Sequence, residues 1–229
     1  MERNIPFLEM KGISKCFPGV KALQDINLSL YKGEVLALLG ENGAGKSTLI
    51  KILGGVYQKD DGKVIIQGSE VDIKNVKEAE KLGISIIHQE LSVLPNLTVA
   101  ENLFLGNEKI NKLTKKLDKK TMNTMCRDYL KQIGSNVDPE EYVKNISIGE
   151  MQMLEIVKAI SKNSNIIVMD EPTSALTDIE TEKLFKVVKL LKSRNIAIIY
   201  ISHRLDEIFA ICDRINVIRD GKQDRKSVV

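Results

Sequence analysis

Short apolar runs rich in β-branched residues alternate along the chain with longer amphipathic stretches. The runs at Val35–Leu39, 64–66, Ile84–Ile87, 166–169, 196–201 and 215–218 predict strands. Several are apolar throughout instead of alternating in and out, as in a parallel sheet covered on both faces. Strands interleaved with helices make an α/β architecture. Before Gly33 the pattern changes. Extended pieces around 7–10 and 26–30, with no helical periodicity between them, predict a small antiparallel sheet ahead of the main one.

The strand signal disappears between Thr98 and Lys162, which predicts a helical insertion over about 98–162. Its helix starts are readable. Thr98-x-x-Glu101 and Ser147-x-x-Glu150 are capping boxes, in which the hydroxyl accepts from an early backbone N–H and the glutamate reaches back. Thr177-x-x-Glu180 opens a further helix in the same way. Lys109, Lys112, Lys115, Lys116, Lys119 and Lys120 crowd one piece of the insertion and read as a solvated face. There is no internal repeat and no sustained heptad run.

Composition narrows the class of partner. With 34 Lys+Arg against 31 Asp+Glu, a net charge of +3, 4% aromatics and no Trp, neither a basic field nor stacking rings favour nucleic acid. No stretch approaches the roughly 18 apolar residues of a membrane span. The opening residues contain no apolar signal core, so a cytoplasmic protein is expected. Cys16, Cys126 and Cys212 are widely spaced and form no Cys-x-x-Cys pair, so they read as reduced residues used mostly in packing.

Candidate chemistry begins at Gly40-Glu41-Asn42-Gly43-Ala44-Gly45-Lys46-Ser47, a G-x-x-x-x-G-K-[ST] pattern between a buried strand and a helix. Its glycines let successive backbone N–H groups turn around phosphate oxygens without a Cβ in the way. The helix that follows points its positive end at the same anion. Lys46 adds a point charge, and the Ser47 hydroxyl is placed for Mg²⁺. A merely structural glycine turn explains neither. The apolar run 166–169 ends in Asp170 and Glu171, which suits a strand delivering one carboxylate to Mg²⁺ and the next to an attacking water.

Further motifs make the resemblance specific. The sequence resembles the nucleotide-binding domain of ABC transporters nearly to Gly221. The run 146–150 looks like the family's Leu-Ser-Gly-Gly-Gln signature, departing from it at Ile148 and Glu150 but keeping Ser147 and Gly149. In that family the signature caps the γ-phosphate of ATP held by an opposing domain. Gln89 matches the Q-loop glutamine and His203 the switch histidine, while Phe17 and Val20 fall where an aromatic meets adenine. Thr177 stands where many members carry an aspartate. The resemblance thus implies ATP and Mg²⁺ as cofactors, with Glu171, His203 and Gln89 as catalytic residues. Nucleotide contacts fall to Gly40, Asn42, Gly43, Gly45, Lys46, Ser47, Thr48, Phe17, Val20, Ser147 and Gly149, and metal contacts to Ser47, Gln89 and Asp170.

The segments 88–91, 97–102 and 201–209 are most similar to ATP-binding proteins of bacterial ribose, galactose and xylose importers, and 17–23 with 175–178 to ribose-type members. Such proteins carry two nucleotide-binding domains, so one domain over 1–222 is expected here and a second one elsewhere. The residues after Lys222 depart from the family's continuation. Residues 224–229 back-translate as GAT CGG AAG AGC GTC GTG, a read common in sequencing adapters, and 223–229 are expected to form a non-native or disordered tail. Implied partners are membrane permease subunits, a second ABC domain and, indirectly, a periplasmic-type sugar-binding protein, with no nucleic acid. The implied place is the cytoplasmic face of the membrane. The rival reading is a non-transport ABC ATPase acting on ribosomes or DNA.

Overall fold

A computed structural model describes residues 5–111 and 115–228. Met1 to Asn4, Lys112 and Val229, which enter the readings of the start, the lysine-rich piece and the tail, lie outside the described residues. The chain divides into two compact units.

The first unit comprises residues 1–86, 164–171 and 188–229. In chain order its elements begin with β1 (Leu8–Phe17), β2 (Val20–Leu30), β3 (Val35–Leu39), α1 (Lys46–Leu53), β4 (Asp61–Ile66), β5 (Ser69–Val71), α2 (Val76–Lys81) and β6 (Ile84–Ile87). Strands β1 and β2 form the antiparallel sheet expected before Gly33, and β4 and β5, from beyond it, join them in the order β2-β1-β4-β5, so that the 64–66 run pairs here. It uses far more of the chain than the two extended pieces, because β1 and β2 run on as a long irregular hairpin whose register slips three times. Asp25 supports one irregularity with a left-handed backbone, φ 54°.

The main sheet adds β7 (Ile166–Asp170), β8 (Ala197–Ile201), β9 (Arg214–Arg219) and β10 (Lys222–Val228), in the order β10-β9-β3-β8-β7-β6. Neighbours from β9 through β7 are parallel. The continuous apolar runs are explained by their burial: all five residues of β8 are buried, as are the first four of β3 and of β7. Helix α1 buries Leu49, Ile50, Ile52 and Leu53, a spacing that places them on one helical face. Each such burial stabilises by roughly 1.5–3 kcal/mol. Of the expected tail 223–229, residues 223–228 continue from Lys222 as β10 and pair antiparallel with β9.

The second unit comprises residues 87–163 and 172–187. It holds α3 (Val99–Leu103), α4 (Lys119–Gln132), α5 (Ile148–Ser161) and the first part of α6 (Asp178–Ser193). The three capping boxes form as the sequence spells them. Met122, Cys126 and Leu130, four residues apart, make the buried stripe of α4. Asn102, buried on α3, spends its amide on the loop before it, accepting from Leu94 N–H at 2.8 Å and donating to the Leu94 carbonyl at 2.9 Å. The described lysines of the basic piece are exposed, around an isolated bridge between Ile110 and Leu117. Cys126, and Cys212 in the first unit after α7 (Leu205–Ile211), are buried, and burial pushes each thiol up to about 12. Cys16 departs from the packing role and is exposed on β1, beyond the register slips that break the alternation begun by the buried Leu8 and Met10.

Candidate functional site

Strand β3 delivers its C-terminal end into the glycine loop, and the loop runs directly into α1. Gly40 has φ 156°, and a Cβ there would lie 2.3 Å from the Ile218 carbonyl oxygen. Gly45 has φ 109°, and a Cβ would lie 2.7 Å from both the Ala22 carbonyl and the Leu23 side chain. These two glycines allow β9 and β2 to press against the loop. Gly43 differs: at φ 83° nothing stands within 4 Å of where a Cβ would be, so its backbone faces open space. Lys46 Nζ donates to the carbonyls of Gly40 at 2.6 Å and Glu41 at 3.0 Å.

The loop borders a cavity of about 420 Å³. Asn42, Gly43, Gly45, Lys46, Ser47 and Thr48 form one side, and Val20 of β2 lies on the wall. Phe17 lies outside that lining; its ring meets Tyr57 edge-on, centroids 5.3 Å apart. Lys21, Ala22, Asp220 and Gly221 complete the wall, and sequence reading missed all four. Gly221, at φ 71°, donates its N–H to the Ala44 carbonyl at 3.1 Å and accepts from Gln24 N–H at 2.7 Å, tying the β9–β10 turn to both loop and β2. The Asp-Gly turn at 220–221 is visible in the sequence, but its contact with a loop some 180 residues earlier is not.

The donor set fits an anion such as a nucleotide phosphate. The first N–H groups of any helix lack intrahelical partners. At α2, α3, α4 and α5 a side chain of Asn75, Thr98, Asp118 or Ser147 caps them. At α1 the cap is Gly45 and no side chain bonds to the helix start. Gly45, Lys46, Ser47 and Thr48 at that start line the cavity, and a helix N-terminus beside a lysine favours an anion by both charge and hydrogen bonding.

In the sheet β8 lies between β3 and β7, parallel to both, with Ala37 opposite Tyr200 and Asp170 opposite Ile201. Asp170, Glu171 and His203 therefore emerge at the same strand ends as the glycine loop. Glu171 takes a left-handed backbone, φ 47°, and donates its N–H to the Ile201 carbonyl at 3.0 Å. Its Oε1 lies 3.3 Å from Nδ1 of His203, whose side chain is 72% exposed. A non-glycine residue in that region is strained by about 1–3 kcal/mol. The backbone bond to Ile201 holds it there beside the histidine. The Ser47 hydroxyl and Asp170 carboxylate are hard oxygen donors, the type Mg²⁺ takes. Among the described residues no group of three or more His, Cys, Asp and Glu could hold a metal ion alone.

Gln89, Ser147 and Gly149 belong to the second unit. Gln89 is exposed just beyond β6. Ser147 caps α5, accepting from Glu150 N–H at 3.2 Å, while the Glu150 carboxylate accepts from Ser147 N–H at 2.8 Å. Glu180 accepts from the N–H of Gly149 at 3.2 Å and from the N–H and hydroxyl of Thr177 at 3.1 and 2.9 Å. Led by the Thr177 N–H, these bonds hold the Glu180 carboxyl below its usual 4.5.

Residues 23–174 match the family model described as ABC transporter. The chain is 60% identical over 222 residues to the ribose import ATP-binding protein RbsA of Clostridium perfringens (strain SM101 / Type A), covering 97% of this chain and 44% of that protein. It is 64% identical to RbsA of Clostridium tetani, with 95% and 43% covered, and 50% identical to the galactose/methyl galactoside import ATP-binding protein MglA 1 of Photobacterium profundum, with 95% and 44% covered. It thus spans less than half the length of these relatives. A nucleotide-free ATP-binding cassette from an ABC transporter superposes with TM-score 0.86 at 28% identity, over 98% of this chain and 92% of that one.

Proposed function

The chain belongs to the ABC transporter family, and from that premise we propose that it binds and hydrolyses ATP to drive import of a monosaccharide, with ribose the first sugar to test. The observation that carries the reading is the uncapped start of α1, opening on a cavity at the same strand ends as the Glu171–His203 pair. Gly43, Gly45, Lys46 and the first turn of α1 would hold the phosphates, with Val20 and the turn at Asp220 bounding the cavity. Gly40, Asn42 and Thr48 would shape the same site, and Phe17 on β1 would meet the adenine.

Ser47 and Asp170 would hold Mg²⁺, which would supply positive charge against the phosphates, while Gln89 in the second unit is a candidate ligand by the resemblance alone. Glu171 would orient water and accept its proton, and His203, within reach of that carboxylate, would carry a hydrogen bond to the reacting phosphate. Ser147 and Gly149 would serve the site of a second such domain. Catalysis of this kind comes from positioning and charge, with no covalent enzyme intermediate. The chain would act on the cytoplasmic face of the membrane, docked to permease subunits and fed by an external sugar-binding protein. Among the described residues no helix is long and apolar enough to cross a membrane, in keeping with that division of labour.

The test is Glu171→Gln in the assembled transporter. Turnover should fall about 10²- to 10³-fold, while MgATP affinity stays within about threefold. Undiminished hydrolysis would overturn the assignment of Glu171, and absence of ribose-stimulated hydrolysis in the parent would overturn the choice of sugar.

A further inference from the structure

Glu207 sits in the first turn of α7, four residues after His203, where a glutamate ordinarily reads as a solvated or capping acid. It does neither: the side chain is 1% exposed. The Arg204 N–H, which a capping glutamate would take, donates instead to Ser202 Oγ at 3.0 Å. Glu207 Oε2 accepts from the Tyr200 hydroxyl and the Ser202 hydroxyl, each at 2.9 Å. Its Oε1 lies 3.2 Å from the Arg204 guanidinium.

Ser202 and Arg204 are the two neighbours of His203, and Ser202 Oγ also bridges them. One buried carboxylate therefore holds the side chains on either side of an exposed imidazole, and Ser202 Oγ carries that hold to the Arg204 backbone N–H. We propose that Glu207 is the positioning residue for His203, fixing the segment 202–204 so that Nδ1 is held toward Glu171. Charge-assisted bonds are shorter and stronger than neutral ones, which suits a carboxylate for the task. A buried ion pair is a weak source of net stability compared with apolar packing. The gain here is placement. A glutamine in its place keeps the shape but brings no charge to the guanidinium, and its N–H groups would have to donate to the two hydroxyls that here donate to the carboxylate.

The chain has two histidines, His88 and His203, so the ring resonances of His203 can be followed by NMR in the full chain. Glu171→Gln reports on the pair by shifting those resonances, and the size of that shift is compared in four backgrounds. It should be retained in the parent and in Tyr200→Phe, which removes one donor to Glu207 away from the histidine. In Glu207→Gln and in Ser202→Ala it should be at least about threefold smaller. Ser202→Ala keeps the test decisive if Glu207→Gln does not fold. An unreduced shift in either of these backgrounds overturns the proposal, as does an equal reduction in Tyr200→Phe or no shift in the parent.

A kinetic arm rests on the hydrolytic reading of the site. In the assembled transporter Glu207→Gln should lower kcat about ten- to a hundredfold with KM for MgATP within about twofold. A change confined to KM would overturn the positioning role. A parent without MgATP hydrolysis would remove the hydrolytic reading instead, while the resonance comparison still decides the role of Glu207.

Discussion

Helices α1 and α5 both begin on loops whose sequence marks an anion site, and they start in opposite states. At α5 the chain satisfies its own donors: Ser147 takes the Glu150 N–H, Glu150 takes the Ser147 N–H, and Glu180 takes the Gly149 N–H. At α1 the cap is a left-handed glycine with no side chain to offer, and the positive end of the helix opens on a cavity. Both starts have the same orphan N–H groups by construction. What differs is whether the sequence supplies a hydroxyl or carboxylate to meet them. A capped start secures its helix, and an uncapped one leaves its donors available to a ligand.

Gly45→Ala should separate the two starts most sharply. Its Cβ would strike the Ala22 carbonyl and the Leu23 side chain in a backbone region that suits glycine. A loss of about 2–4 kcal/mol in denaturant unfolding, together with loss of nucleotide binding, is expected. Lys46→Ala removes the ammonium together with its bonds to the Gly40 and Glu41 carbonyls, and should weaken MgATP binding about 10- to 100-fold by calorimetry at a cost of about 1 kcal/mol in unfolding. Ser147→Ala is the counterpart at α5: it should cost about 1 kcal/mol of stability and leave the affinity of the α1 site unchanged.

The smallest effect is in acid. Because Glu180 is held below its unfolded value near 4.5, its contribution is complete above that pH and is lost as pH falls through the lower folded value. Glu180→Gln should therefore show less loss of stability than the parent on going down through that window, measured by circular dichroism. An acid response as large as the parent's would show that the carboxylate does not secure α5.

What was legible in the sequence follows the same line between local and distant causes. The glycine loop, the buried strands and the three Ser/Thr-x-x-Glu starts are local patterns, and each fell where its residues place it. Glu171 and His203 could be named from their strand ends, because parallel neighbours present those ends together. The wall made by Asp220 and Gly221 could not, since it depends on β9 pairing with a strand far back in the chain. Glu207 was equally hidden: its sequence position suggests a solvated acid, whereas it is buried against the hydroxyls of Tyr200 on β8 and Ser202. The exposure of Cys16 and the long hairpin of β1 and β2 depend on register slips that no periodicity records.

The most direct test of the open start at α1 is an amide NMR titration of the chain with MgATP. Donors turned toward a phosphate shift strongly, whereas donors already bonded within the protein do not. The largest changes should fall on Gly43, Gly45, Lys46 and Ser47, with the Gly149 and Glu150 amides unmoved in dilute protein. Shifts at Gly149 and Glu150 with residues 43–47 unchanged would contradict the account.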